Sequence, residues 1–287
     1  MRKELLFSFI LLFAMASWGL SWPLSKVMTQ YLSPLELVCI RFVIAAISFV
    51  PVIYMLKLSF FVPKTAIKGV LLTSFFNIAY SGMFFFGLSL GGAGNAGVIT
   101  TTLAPIFSSL IGAFIYHTRL RKSEKIGLVL GVLAGGILIG FDGLMNLYSL
   151  VFLSTAFLWC CVTLSSRLAT SNMQAIVLNF YASLLSGIIF FPFLFFGDMS
   201  HWSKLDGQFW ICMLCASILA TTFGTSMFYQ GVAVLGFSRG GSFTLLTPLF
   251  ALVFSWILLG ETPSIRTVFG GSVAILAIYL INFYRRK

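Results

Sequence analysis

Runs of about twenty apolar residues follow one another along almost the whole chain, separated by short polar breaks. A run of that length is what an α-helix needs to cross the hydrocarbon core of a bilayer. Within lipid every backbone N–H and C=O must be satisfied inside its own segment, so such runs fold as helices. The spacing predicts helices over 5–27, 34–56, 66–90, 93–117, 123–141, 147–168, 173–196, 208–233, 237–260 and 264–284. The expected fold class is therefore an all-α polytopic membrane protein with ten transmembrane helices and no room for a soluble domain. Only 9% of the residues are charged, against about 25% in ordinary soluble domains, so lipid must serve as part of the solvent.

The breaks carry the helix-ending chemistry: Ser33-Pro34, Pro63-Lys64, Gly91-Gly92, Arg119 to Glu124, Asp142-Gly143, Asp198 to Asp206 and Glu261-Thr262-Pro263. Arg2 and Lys3, an apolar run and Ala14-Met15-Ala16 have the look of a cleaved leader. The apolar run continues past Ala16, so the segment is read as the first span.

Charge placement orients the chain. With the N-terminus in the cytoplasm, 14 of the 18 basic residues fall in cytoplasmic segments. Lys26, Lys204 and Arg266 fall on the other side, and Arg41 lies within the second helix. This is the bias of the positive-inside rule. It puts both termini in the cytoplasm of a bacterial inner (cell) membrane. The net charge of +11 is thus topological and asks for no nucleic-acid partner. The partners expected are the lipid bilayer and a small-molecule substrate.

The chain also repeats itself. Leu103-Ala104-Pro105-Ile106-Phe107 aligns with Leu246-Thr247-Pro248-Leu249-Phe250 at an offset of 143, and Gly127 with Gly270 at the same offset. Trp18 aligns with Trp159, Lys26 with Arg167 and Pro51 with Pro192, all at 141. The halves are 1–143 and 144–287. Five helices per half is an odd number, so the second half inserts upside down. Inverted repeats are the usual scaffold of secondary transporters, which bind substrate at the repeat interface near the midplane.

These features together resemble the drug/metabolite transporter superfamily, EamA-like branch, over almost the whole chain. The residues carrying the resemblance are Trp18 and Trp159, Arg41-Phe42, Pro105 and Pro248, and Leu259-Gly260-Glu261 closing the ninth helix. After the fourth helix Tyr116-His117-Thr118 stands where a second glycine–glutamate ending is expected. The resemblance implies export or exchange of metabolites such as amino acids, with helices 3, 4, 8 and 9 around a central cavity.

Candidate binding residues follow from spacing. Asn77, Tyr80, Ser81 and Phe84 share one helix face, as do Thr222, Thr225 and Tyr229, with Gln230 beside them. Thr101 in the fourth helix and Thr244 in the ninth add hydroxyls. The alternative for these hydroxyls is ordinary interhelical hydrogen bonding. Trp18 lies deep enough to stack on a flat or apolar solute, whereas Trp22 and Trp159 fit an interfacial belt equally well. Pro105 and Pro248 each remove a helix hydrogen bond and read either as hinges beside the site or as static kinks.

Arg41 is an intramembrane charge and a functional candidate for that reason. Pairing with Glu36 or another helix-end carboxylate is the alternative. Every acidic residue lies near a membrane boundary, which disfavours a proton-coupled mechanism built on a deep glutamate. Only one basic residue is buried, which points to a neutral or zwitterionic solute rather than a phosphorylated one.

Gly127, Gly131 and Gly135 mark the fifth helix for close packing, on the tenth helix or across a homodimer face. Cys212 and Cys215 have redox spacing without a neighbouring charge to make a thiolate, and read as packing residues. No HExxH pattern occurs in the sequence, and the two histidines, His117 and His201, fall at opposite membrane ends, so no catalytic site, metal or cofactor is expected. The alternatives are a drug or nucleotide-sugar carrier of the same superfamily, a membrane-embedded enzyme, or a scaffold.

Overall fold

The computed structural model describes residues 2–115, 122–139, 146–196, 199–235 and 242–282. All regular structure among them is helical. The elements are α1 Arg2–Met28, α2 Pro34–Met55, α3 Lys64–Leu90, α4 Ala93–Ile115, α5 Lys122–Ile139, α6 Leu147–Thr170 and α7 Ala175–Phe190. A single turn, α8 Phe193–Phe196, and a 3-10 turn, Met199–Lys204, lead to one long rod. The rod consists of α9 Gly207–Leu214, a π-helical stretch Cys215–Gly224 and α10 Thr225–Leu235. A 3-10 turn, Ser242–Leu246, then opens α11 Thr247–Leu259, and α12 Ile265–Asn282 follows.

Local sequence explains the ends. Pro34 starts α2, where its missing N–H costs nothing. Glu36 Oε2 accepts from both the backbone N–H and the hydroxyl of Ser33, at 2.9 and 2.6 Å. The Asn146 side chain accepts from Tyr148 N–H to open α6, and Asp206 accepts from Phe209 N–H to open α9. Gly260 closes α11 at φ 67°, a left-handed conformation that costs glycine nothing.

Among the described residues seven helices are long and apolar enough to cross a membrane, and Phe243–Leu259 and Ile265–Leu280 are shorter apolar helices. α5 has the length but carries Lys122, Glu124 and Lys125 in its first turn. The chain is a multi-pass membrane protein. Helices expected as unbroken spans differ in two places. The seventh breaks after Phe190, just before Pro192, and the ninth is 3-10 over Ser242–Leu246, ahead of Pro248.

The packing has a regularity. α3 lies on α6, and α1 lies on the 207–235 rod. α4 packs on α6, and α1 on α11. α2 pairs with α7, α4 with α11 and α5 with α12. Under the sequence repeat, exchanging the two halves maps these seven pairs onto one another, whereas α4 also packs on α12 without an equally extensive α5–α11 contact. The main apolar core runs through α1, α2, α3, α4 and α6, with Phe85, Leu88, Phe152 and Phe209 fully buried.

Candidate functional site

Tight helix packing leaves a space of about 260 Å³ in the middle of the bundle, with a largely apolar lining that also carries hydroxyls, amides and one arginine. Both halves wall it: α1, α2, α3 and α4 from the first, and α6, α7, the 207–235 rod and the start of α11 from the second. The described residues of α5 and α12 take no part in its wall. They pack against each other, with Leu138 and Ile137 lying over Gly270.

α3 contributes the face predicted from its spacing. Asn77, Tyr80, Ser81 and Phe84 all line the space. Asn77 Nδ2 donates to Ser186 Oγ at 3.1 Å, which fixes the amide, and the Ser81 hydroxyl bonds its own helix at Asn77 O. Trp18, Thr101, Pro105, Thr225, Thr244 and Arg41 are also in the wall. Trp22 and Trp159 join them in the wall. Their rings extend an aromatic chain, with Trp22 4.9 Å from Phe84, Phe84 5.9 Å from Tyr80, and Tyr80 4.9 Å from Trp159.

The long rod departs from expectation. In a regular α-helix Thr222, Thr225 and Tyr229 would share a face. The π-helical stretch widens each turn and rotates the face. Thr222 turns to α2, where its hydroxyl meets Ser48 Oγ at 2.7 Å. Tyr229 packs beside α7 and accepts from Asn179 Nδ2 at 3.4 Å. Neither lines the cavity, and nor does Gln230. Thr221 takes the position expected of Thr222 and reaches the cavity with Thr225. The threonine hydroxyls stabilise the wide turn, since Thr221 and Thr222 each bond the carbonyl five residues back, at 2.9 and 3.3 Å. The Ala220 carbonyl accepts from Trp18 Nε1 at 3.0 Å. π-helical turns concentrate at functional sites.

Other wall residues were missed in the sequence. Asn179 and Ser183 on α7 and Ser21 on α1 all face the space, and Thr100, which neighbours the expected Thr101 on α4, faces it too. The i, i+4 spacing of Asn179 and Ser183 could have flagged α7. The two prolines are not equivalent. Pro105 sits inside α4, within the wall, whereas Pro248 occupies the first turn of α11 and does not line the cavity.

Arg41 projects from α2 into this space. Its guanidinium carbon lies 5.6 Å from the ring centre of Phe84 and 5.8 Å from that of Phe85. One terminal nitrogen donates to Ser25 Oγ at 3.2 Å and the other to Thr221 Oγ1 at 3.4 Å. Nε is buried without a partner. Glu36 is not its counter-ion, because that carboxylate is held by Ser33.

One end of the bundle is sealed. Trp22, Phe84 and Phe152 form an aromatic layer, and one turn beyond it the chains are clamped. Lys26 Nζ donates to Leu88 O at 2.6 Å, and the Tyr148 hydroxyl donates to Gly92 O at 2.6 Å. Glu261 accepts from the backbone N–H groups of Ala93 and Gly94 at 2.9 and 2.8 Å. A carboxylate at a helix start meets unsatisfied donors and the positive end of the dipole. At the same end Tyr31 donates to Asp206 at 3.0 Å. The Phe209 amide, joined by that hydroxyl, holds the Asp206 carboxyl below its usual range. The related segment 116–118 and His117 lie outside the described residues. Cys212 and Cys215 are free thiols packed in the rod. No cluster of metal-binding side chains occurs among the described residues.

The profile of the EamA-like transporter family matches twice, over residues 5–140 and 146–283. A protein of Archaeoglobus fulgidus named "Uncharacterized transporter" is 29% identical over 95% of this chain and 97% of its own length. A Salmonella typhimurium protein named "Probable amino-acid metabolite efflux pump" is 26% identical over 99% of this chain and 95% of its own. A solved crystal structure superposes with a TM-score of 0.66 at 18% identity, covering 96% of each chain. That likeness carries the fold.

Proposed function

Since this chain belongs to the EamA-like transporter family, we propose that it exports small organic metabolites of amino-acid size by alternating access of the central cavity. The observation that carries the reading is the cavity itself: its largely apolar wall carries hydroxyls, amides and one arginine, both profile-matched halves of the chain contribute to it, and a hydrogen-bonded clamp joins the halves at one end of the bundle. Its volume of about 260 Å³ falls just below the range of roughly 300–1,000 Å³ typical of drug-sized sites. That favours a metabolite over a drug or a nucleotide sugar. The Salmonella relative's name points the same way.

In this reading ten helices cross the bacterial inner membrane, five in each of two inverted repeats, with both termini in the cytoplasm. The exchange-symmetric packing supports the repeat. The clamped end is then the outer one, and the structure is the inward-facing state. Trp18, Asn77, Tyr80, Ser81, Thr101, Thr225 and Thr244 contact the solute. Pro105 is the better hinge candidate, because it interrupts α4 beside the cavity, whereas Pro248 sits where a helix start needs no N–H.

The test is counterflow in proteoliposomes against a panel of amino acids and their metabolites. Protein-dependent exchange of at least one solute is expected. If no solute moves while the purified protein turns over a lipid, the carrier reading fails.

A further inference from the structure

Arg41 has the geometry of an unfinished ion pair. A guanidinium offers five N–H donors in a planar fork suited to a carboxylate. Here only two are used, both on neutral hydroxyls at 3.2 and 3.4 Å, and Nε is buried without a partner. The described acids nearest the ends of the bundle are engaged elsewhere. Glu36 holds Ser33, Glu261 holds Ala93 and Gly94, and Asp206 holds Tyr31 and Phe209. Among the described residues no acidic side chain lines the cavity, whose remaining polar groups are neutral hydroxyls, amides and three indoles. The cavity therefore carries one positive charge with no built-in counter-charge. A buried charge is costly until it is paired, and an incoming anion would pair it.

Resting on the carrier reading above, we propose that Arg41 is the carboxylate subsite of the transport cavity. The preferred cargo is a monoanionic carboxylate with an aromatic or branched apolar body and no free ammonium, such as a deaminated or N-acylated amino acid. The rings of Trp18, Trp22, Tyr80 and Trp159 supply flat apolar walls for that body. An α-ammonium would lie one carbon from the carboxylate, beside the guanidinium, with no acid to balance it. The scarcity of buried cations in the sequence excludes polyanions. The absence of a facing acid goes further and selects a single negative charge over a zwitterion.

The same charge accounts for energetics without a deep proton-binding acid. The loaded cavity is neutral, and the empty cavity returns inward with the charge of Arg41. Each cycle moves one negative charge out, which an inside-negative potential of about 100 mV favours about fiftyfold at equilibrium.

Binding of 3-phenylpropionate, L-phenylalanine and phenethylamine to purified protein, followed by tryptophan fluorescence, tests the proposal. The three share a ring and differ in charge. The expected result is that 3-phenylpropionate binds at least tenfold tighter than phenylalanine and that phenethylamine binds weakest. Arg41→Gln erases the ranking, and Arg41→Lys keeps it with weaker binding throughout. Phenylalanine binding as tightly as 3-phenylpropionate overturns the proposal, as does a ranking unchanged in Arg41→Gln or no binding of any of the three. If Arg41→Gln does not fold, the wild-type ranking and Arg41→Lys decide. Counterflow separates the two readings: phenylalanine moving faster than 3-phenylpropionate removes the subsite and keeps the carrier, and no movement of any solute removes the carrier.

Discussion

Glu261, just beyond the end of α11, caps α4 of the other half of the chain through the backbone N–H of Gly94 at 2.8 Å. The contact spans 167 positions in sequence and ties the close of α11 to the start of α4. A helix start has four N–H groups without intrahelical partners, so this carboxylate replaces a local cap with one from the other repeat. Any motion that parts the halves at this end must break it.

Glu261→Gln keeps the shape and removes the charge, so it weakens the clamp without emptying it. Charge-assisted hydrogen bonds are about twice as strong as neutral ones. A single cysteine placed at Ser21 in a cysteine-free background reports the change. Labelling from the outer side by a membrane-impermeant maleimide is expected to rise several-fold in Glu261→Gln. Unchanged labelling would show that the clamp does not hold the outer end shut.

Asn77 and Tyr229 separate the cavity wall from the packing around it. Asn77 lines the space, whereas Tyr229 lies between the rod and α7. Asn77→Ala is expected to raise the KM for exchange at least fivefold with little loss of stability. Tyr229→Ala is expected to leave KM within twofold and to lower the apparent Tm. The reverse pattern would put the solute on the other face of the rod.

Gly224 closes the π-helical stretch against α1. A Cβ there would lie 2.7 Å from Ser17 Oγ and 3.0 Å from Trp18 Nε1. Gly224→Ala must push α1 away and disturb the bond from Trp18 to the Ala220 carbonyl. Overpacking of this kind costs about 1–3 kcal/mol. A thermal-melt comparison in detergent should show a lower Tm, with weaker solute binding in parallel.

Asp206 gives the clamped end a pH dependence. Its folded carboxyl titrates below the unfolded value, chiefly because the Phe209 amide bonds the charged form. A depressed carboxyl stabilises the fold above the unfolded pKa of about 3.9, and that contribution is lost as pH falls through the lower folded value. Wild-type Tm should therefore drop more steeply than that of Asp206→Asn below about pH 4. Parallel curves would show that Asp206 adds nothing to stability.

Much of this protein was determined by its sequence alone. Apolar runs and the breaks between them are one-dimensional signals, so the helical membrane body, most helix boundaries and the candidate face of α3 could be read directly. The duplication was also legible, because Pro105 and Pro248 or Trp18 and Trp159 recur in order. The tertiary structure decided which side chains meet the cavity. Helical spacing assumes 3.6 residues per turn, and the stretch Cys215–Gly224 does not keep it. That local widening exchanged Thr222 for Thr221, and Tyr229, in the regular helix beyond it, meets Asn179 of α7 instead of the cavity. Nor could spacing show that Arg41 meets two hydroxyls and two rings but no carboxylate among the described residues. That outcome depends on how α1, α2, α3 and the rod converge in space, and contacts between distant segments leave no periodic trace in the chain.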